Sequence, residues 1–393
     1  MLLPYDPDSV DELTRELDRW KELLGYRGPL PRSWRGRLRR DLESESVAAS
    51  TSMEGVPVTV DEVRRILAGE RPREVANEDI DLVLGYRDAM GFVLRRADDA
   101  NFAWTRELLV ALQDRVLAGR FAAGAGRLRT GPAYVVDRTT AREVFAPPDA
   151  SAVPELVDEA TRIADAWSAH PATLSAWIHV AIAAIHPFSY GNGRTARVCA
   201  SLAMYRGGFQ LEEFTSLEEW WGRHLADYYD AFASLGAAFD PEADVTGFVR
   251  AHLQAQLHQV RALDLRERVE GMIWNAVERL VTDAHLPPRV ANAVWDAFFD
   301  RGVTSRYYRP LAEVNPSTAA GDLGAAVSAR LLKGRGAGRS QRYVAGDELV
   351  VRVGAALGVT LERGGEPGRA VISSELARRI AATAERDRIR DQI

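Results

Sequence analysis

His186-Pro187-Phe188-Ser189-Tyr190-Gly191-Asn192-Gly193-Arg194-Thr195-Ala196-Arg197 is the stretch on which the reading of this chain turns. Pro187 biases His186 away from the α region, so a helix predicted over 172–185 stops at Ile185. Gly191 and Gly193 admit positive φ and let the backbone approach a ligand closely. A second helix, predicted over 194–205, offers free N–H groups and a dipole at its start, which together make an anion site. Arg194 and Arg197 lie one turn apart and can face the same anion. A guanidinium suits phosphate because its planar fork donates two parallel hydrogen bonds. His186, at the loop entrance, would stand beside a bound phosphate, placed to take a proton from an attacking hydroxyl. The chemistry expected of such a site is phosphoryl or nucleotidyl transfer. The plainer alternative is a helix–loop–helix connection around a core histidine.

Helical periodicity extends outward on both sides. Residues 9–24 read as an amphipathic helix with Ser9 as N-cap. Residues 32–53 read as a helix broken by Gly55-Val56-Pro57. Thr59 and Glu62 form a capping box that opens a helix over 60–68. Helices are also predicted over 77–97, 104–118, 152–168, 217–235 and 244–264. Between them, residues 119–149 are rich in Gly and Pro and hold a β-like piece, Ala133–Val136, which reads as a long loop with one hairpin.

Composition sets the class. The 393 residues are 46% hydrophobic and 27% charged, as in a globular chain of two or three domains. The net charge of −6 gives no global reason to bind nucleic acid. The single cysteine, Cys199, excludes a disulfide framework and a cysteine-based zinc site. No apolar run approaches the ~20 residues that span a bilayer, and the acidic N-terminus lacks a signal-peptide core. A cytoplasmic protein without membrane contact is expected.

The central stretch resembles the Fic family signature, HPFx[D/E]GNGRxxR. His186, Pro187, Phe188, Gly191, Asn192, Gly193, Arg194 and Arg197 all match it. Gly126-Arg127-Leu128-Arg129 with Tyr134, Val135 and Val136 looks like the family's flap, an edge hairpin that docks the target by strand addition. Phe145–Pro148, Val153–Leu156 and Tyr228-Tyr229 also fit, so the resemblance covers roughly residues 40–255. It implies a mostly α fold: an N-terminal helical segment over 1–100 and a Fic-type helical core with a small β-hairpin flap over 101–260. A C-terminal winged helix-turn-helix domain over 265–393 is a frequent companion.

The resemblance also implies an activity, the transfer of AMP from ATP to a Ser, Thr or Tyr hydroxyl of a protein target, self-modification included. His186 would be the base. Gly191, Asn192 and Gly193 would cradle the phosphates, Arg194 and Arg197 would hold the β- and γ-phosphates, and Phe188 would anchor the loop. Ser50-Thr51-Ser52-Met53-Glu54-Gly55 resembles the family's inhibitory motif. Ser50 and Glu54 share one helix face, Gly55 stops the helix, and Glu54 would pair with Arg197 in the γ-phosphate seat.

One position departs from the pattern. Tyr190 stands where the family usually has the Asp or Glu that holds Mg²⁺, and a neutral phenol is a poor ligand for that hard cation. Three alternatives follow: metal held only by phosphates and water, a different phosphate-linked donor, or a site that binds nucleotide without turning it over and acts through the winged helix.

Toward the C-terminus, helices are predicted over 266–284, 287–301, 305–312 and 317–331, with a turn at Asn315-Pro316. A basic segment containing Lys333, Arg335, Arg339 and Arg342 follows. Helix, turn, helix and basic hairpin form the winged-helix pattern. Together with Arg330, these cations make residues 303–345 a candidate DNA surface; a solvated wing or a protein-binding module is the alternative. A homodimer is the one self-assembly left open.

Overall fold

The computed structural model describes residues 2–25, 32–136, 142–211, 217–336, 338, 341–361 and 368–390. It is dominated by helices: α1 (Asp11–Gly25), α2 (Arg32–Met53), α3 (Val60–Leu67), α4 (Asn77–Ala97), α5 (Arg106–Val116), α6 (Val153–Asp165), α7 (Pro171–Ile185) and α8 (Asn192–Arg206). These are followed by α9 (Leu217–Arg223), α10 (Leu225–Asp230), α11 (Thr246–Asp283), α12 (Ala291–Phe298), α13 (Ser305–Ala312), α14 (Pro316–Ser328), α15 (Leu349–Ala356) and α16 (Gly368–Arg390). Two antiparallel hairpins complete the described elements, β1 (Val135–Val136) with β2 (Glu143–Phe145) and β3 (Leu332–Arg335) with β4 (Arg342–Ala345). The chain divides into two compact units, residues 1–261 and 262–393.

Local chemistry explains the boundaries. Thr59 and Glu62 cap α3 reciprocally, as their spacing predicts. Asn315 caps α14 ahead of Pro316, and Thr105 caps α5. At the end of α2 the N–H of Gly55 bonds to the carbonyl of Ser52, and the N–H of Val56 to that of Thr51. Gly55, at φ 82°, supplies the left-handed residue this C-cap needs.

Three boundaries correct the expectations. The first helical turn begins at Asp8, and Asp6 rather than Ser9 accepts the N–H of Asp8; the Ser9 hydroxyl donates back to the carbonyl of Asp6. Helix α8 starts at Asn192, two residues before Arg194, because Gly191 takes the left-handed N-cap position. The break expected near 265 does not occur. Helix α11 runs through it, since residues 248–270 contain neither Gly nor Pro. Helix α15 lies outside the helices that the sequence leads one to expect.

In the first unit α7 and α8 pack along each other at the centre of the core. Thirteen of the fifteen residues of each are buried, so these helices are enclosed on every side. Phe188, in the loop joining them, is fully buried with Trp177 of α7. The N-terminal residues are tied in: Trp177 Nε1 donates to the Leu3 carbonyl at 3.0 Å, and Leu3 N–H to Pro241. A smaller cluster joins Met53, at the end of α2, to Leu217, Trp221, Tyr228 and Ala255.

In the second unit, Val303 bridges antiparallel to Tyr343, adding a third strand position beside β3–β4. Helix α14 is pinned by Asp322, which accepts a bidentate pair from Arg289 and the hydroxyl of Tyr308 at 2.9 Å. Trp295 is buried against Trp274.

Candidate active site

Four backbone positions fix the loop between α7 and α8. His186 ends α7 in the left-handed region at φ 49°, which costs a non-glycine residue on the order of 1–2 kcal/mol. The buried guanidinium of Arg129 donates to the His186 carbonyl at 2.8 Å, and the Arg129 N–H to that of Pro187 at 2.9 Å. Asn192 closes the loop on itself, accepting the Phe188 N–H at 2.9 Å and donating to the Phe188 carbonyl at 2.8 Å. Buried Gln113 of α5 donates to the Tyr190 carbonyl at 3.1 Å and accepts the Gly126 N–H at 2.8 Å. Arg129 and Gln113 therefore staple the approach to the hairpin, residues 124–131, against the loop. Neither role is visible in the sequence, because both depend on partners more than fifty residues away.

His186 is half-buried. Its Nδ1 lies 3.3 Å from the Ala183 carbonyl. A neutral imidazole that donates there keeps a lone pair on Nε2, the atom a general base needs. Burial holds its pKa below the usual histidine value, with the Arg129 charge pushing the same way and the Ala183 carbonyl and Glu54 opposing.

The start of α8 is the anion seat. Because the helix begins at Asn192, its first free N–H groups belong to Asn192, Gly193 and Arg194. The structure brings Glu54 onto this seat. A Cβ built at Gly193 would stand 2.2 Å from Glu54 Oε1, so only glycine leaves room for that carboxylate. The same oxygen accepts from Arg197 Nη2 at 2.9 Å. Ser50, fully buried one turn earlier, accepts Arg197 Nε at its hydroxyl and Nη2 at its carbonyl. Ser50 and Glu54 thus both meet Arg197. Arg194, also buried, donates to the carbonyl of Val116 at the end of α5, a favourable place for a cation.

A buried polar layer backs Arg197. Its Nη1 lies 3.3 Å from the Tyr228 hydroxyl, which lies 3.1 Å from His179 Nε2. His179 and His252 meet edge to face, and Tyr86 donates to Glu218 at 2.8 Å. A cavity of about 10 Å³ runs among His179, Arg197, Glu218 and His252. Burial keeps both histidines neutral, pushing His252 down to about 3, and raises the pKa of Glu218. Burial opposes the charge of Arg197, but the oxygens of Tyr228, Glu54 and Tyr86 more than restore it, and its pKa stands above the ordinary value.

Tyr190 is 63% exposed at the rim. Mg²⁺ prefers carboxylate and phosphate oxygens, and the phenol at this position does not fit it. Among the described residues no group of three or more His, Cys, Asp and Glu is arranged to hold a metal. Tyr134 and Val136 of the hairpin, with Val144 across from them, are exposed, while Val135 is half-buried and pairs with Phe145. Arg339 lies outside the described residues. Cys199 is buried in α8, and burial raises its thiol pKa. No described helix is long and apolar enough to cross a membrane.

The sequence model of the Fic/DOC family matches residues 103–204. The chain is 26% identical over 207 residues to "Protein adenylyltransferase Fic" of Nematostella vectensis, covering 52% of this chain and 46% of that protein. It is 34% identical over 126 residues to "Protein adenylyltransferase fic-1" of Caenorhabditis briggsae, covering 31% and 24%. The chain thus spans less than half the length of these curated relatives. Among solved structures, a Fic family protein from Desulfovibrio desulfuricans G20 superimposes with a TM-score of 0.58 at 21% identity, covering 88% of this chain and 98% of that one. Fic-1 (aa134–508) from C. elegans does so with a TM-score of 0.51 at 20% identity, covering 64% and 70%. These structures share the fold.

Proposed function

We propose that this chain, which carries a Fic/DOC family domain over residues 103–204, is a protein adenylyltransferase held in an inhibited state by its own Glu54. The observation that carries this reading is the Glu54 carboxylate, seated over Gly193 and paired with Arg197. A carboxylate there competes with a phosphate for the same guanidinium and the same helix start.

With Glu54 withdrawn, the α-phosphate of ATP would face His186, and the β- and γ-phosphates would lie along the start of α8 against Arg194 and Arg197. A target hydroxyl docked by the β1–β2 edge attacks the α-phosphorus. The new O–P bond forms as the bond to the bridging oxygen breaks, pyrophosphate leaves with that electron pair, and His186 Nε2 takes the hydroxyl proton. The helix start and the two arginines bear the leaving-group charge. Tyr190 does not fit Mg²⁺.

Mass spectrometry of the protein with ATP, before and after Glu54→Gly, tests the reading. An adenylyl adduct that grows in Glu54→Gly and vanishes with an added His186→Ala supports it; equal labelling of wild type and Glu54→Gly overturns the inhibitory part. Tyr190 favours a second reading, nucleotide held without transfer, which predicts ATP binding by Glu54→Gly and no adduct.

For residues 262–393 the order α12, Val303, α13, α14, β3, β4, with Val303 paired to Tyr343, supports a winged helix. Arg330, Arg335 and Arg342 are exposed cations at and beside the β3–β4 hairpin, while Lys333 is paired with Asp347. Retardation of random duplex DNA at low salt, lost in Arg335→Ala with Arg342→Ala, would assign that surface to nucleic acid.

A further inference from the structure

We propose that Arg129 is the positioning residue that holds His186 in its working geometry and ties it to the β1–β2 hairpin. The inference rests on His186 being the base of the proposed transfer. Arg129 is 4% exposed, and its fork is spent entirely on backbone carbonyls. Nε donates to His186 at 2.8 Å, Nη1 to Gly131 at 3.0 Å, and Nη2 to Pro148 and, at 3.5 Å, to Ile185. Its own N–H donates to Pro187.

The placement is what matters. Gly131 and Pro148 flank the hairpin, one before β1 and one after β2, so a single side chain closes the root of the hairpin. Ile185 and His186 are the last carbonyls of α7 and its cap, which a helix end leaves without partners. A planar fork reaches carbonyls on both sides at once, whereas a lysine offers its donors at one point. Arg129 thereby fixes the left-handed His186 from the side on which a docked target would lie. Two charged groups bear on the imidazole, Arg129 from the hairpin root and Glu54 from the end of α2. When Glu54 is gone, only the cation remains, and it favours the neutral base.

The test uses full-length protein carrying Glu54→Gly, with Arg129→Met or Arg129→Lys added. ATP affinity is measured by calorimetry, self-labelling by labelled ATP, and the His186 titration by NMR of histidine-labelled protein. The expected result is ATP affinity within about threefold of the parent in both variants and labelling at least tenfold slower in both. The His186 midpoint should rise in Arg129→Met and stay near the parent value in Arg129→Lys, which keeps the charge and loses the fork. Undiminished labelling in either variant, an unmoved midpoint in Arg129→Met, or ATP affinity falling in step with labelling overturns the proposal. Should Arg129→Met not fold, the labelling and affinity of Arg129→Lys decide it. If the parent binds ATP but transfers nothing, the proposed function fails while the NMR arm still tests the Arg129–His186 link.

Discussion

Glu54 Oε1 lies 2.9 Å from Arg197 Nη2 and directly over the Cα of Gly193. One carboxylate thus covers both features a phosphate would use, the guanidinium and the opening N–H groups of α8. The arginine is otherwise fully engaged with protein oxygens, by Ser50 and Tyr228. On the proposed reading, a phosphate that takes this seat requires Glu54 to leave it.

Ligand-induced stabilisation should therefore depend on Glu54. Apo Glu54→Gly is expected to melt below wild type, because a buried guanidinium loses its anion. ATP at a hundred times its Kd should return about 2.7 kcal/mol to the variant and much less to wild type at the same concentration. Thermal melts with and without ATP check this; equal ATP shifts in the two proteins would count against the latch.

Enlarging Gly193 gives a sharper discrimination. Gly193→Ala places a methyl 2.2 Å from Glu54 Oε1, so the carboxylate must move, but the methyl also fills the seat a phosphate needs. Gly193→Ala is expected to leave labelling at or below the wild-type level, whereas Glu54→Gly raises it at least tenfold. Activation by Gly193→Ala would show that the phosphate lies elsewhere.

The features legible in the sequence are those whose cause is local. The stop at Ile185 comes from Pro187, the cap of α3 from Thr59 and Glu62, and the end of α2 from Gly55. Ser50 and Glu54 could be singled out because their stretch resembles the Fic family's inhibitory motif, and a helix period then places the two on one face. Gln113 carries no such mark, and the resemblance that takes in Arg129 and Tyr228 assigns neither of them a role. Each is a common residue type whose role comes from a carbonyl or guanidinium brought near by the packing of α5, α7 and α8. The expected break near 265 failed for the opposite reason. Two helices are expected to meet there, but a run of good helix formers carries α11 straight through, while the division into two compact units falls nearby, after residue 261.

The state of His186 sets the pH response. Burial holds its pKa below the unperturbed value near 6.5, and loss of Glu54, whose charge opposes that shift, lowers it further. The base is then neutral throughout the neutral range. Self-labelling by Glu54→Gly should be level above about pH 6.5 and fall only below it. A rate that is still climbing between pH 7 and 8 would mean that another group supplies the base.

His252 links the same buried layer to stability. Its folded-state pKa is pushed down to about 3 by burial, against about 6.5 in an unfolded chain. The unfolded state binds a proton first as pH falls, so stability is complete above about 6.5 and is lost progressively toward 3. At pH 5 the loss from this one group is on the order of 2 kcal/mol. His179, buried beside it and likewise held neutral, adds to the effect. Replacing His252 with Gln keeps a hydrogen-bonding group near Ser175, which lies 3.4 Å from the native imidazole, and removes the titration. Urea midpoints measured at pH 7.5 and pH 5 should therefore converge in His252→Gln relative to wild type, even if the variant is less stable at pH 7.5. An undiminished difference between the two midpoints would show that His252 is not held neutral in the folded protein, and that the layer behind Arg197 is more open to water than its burial indicates.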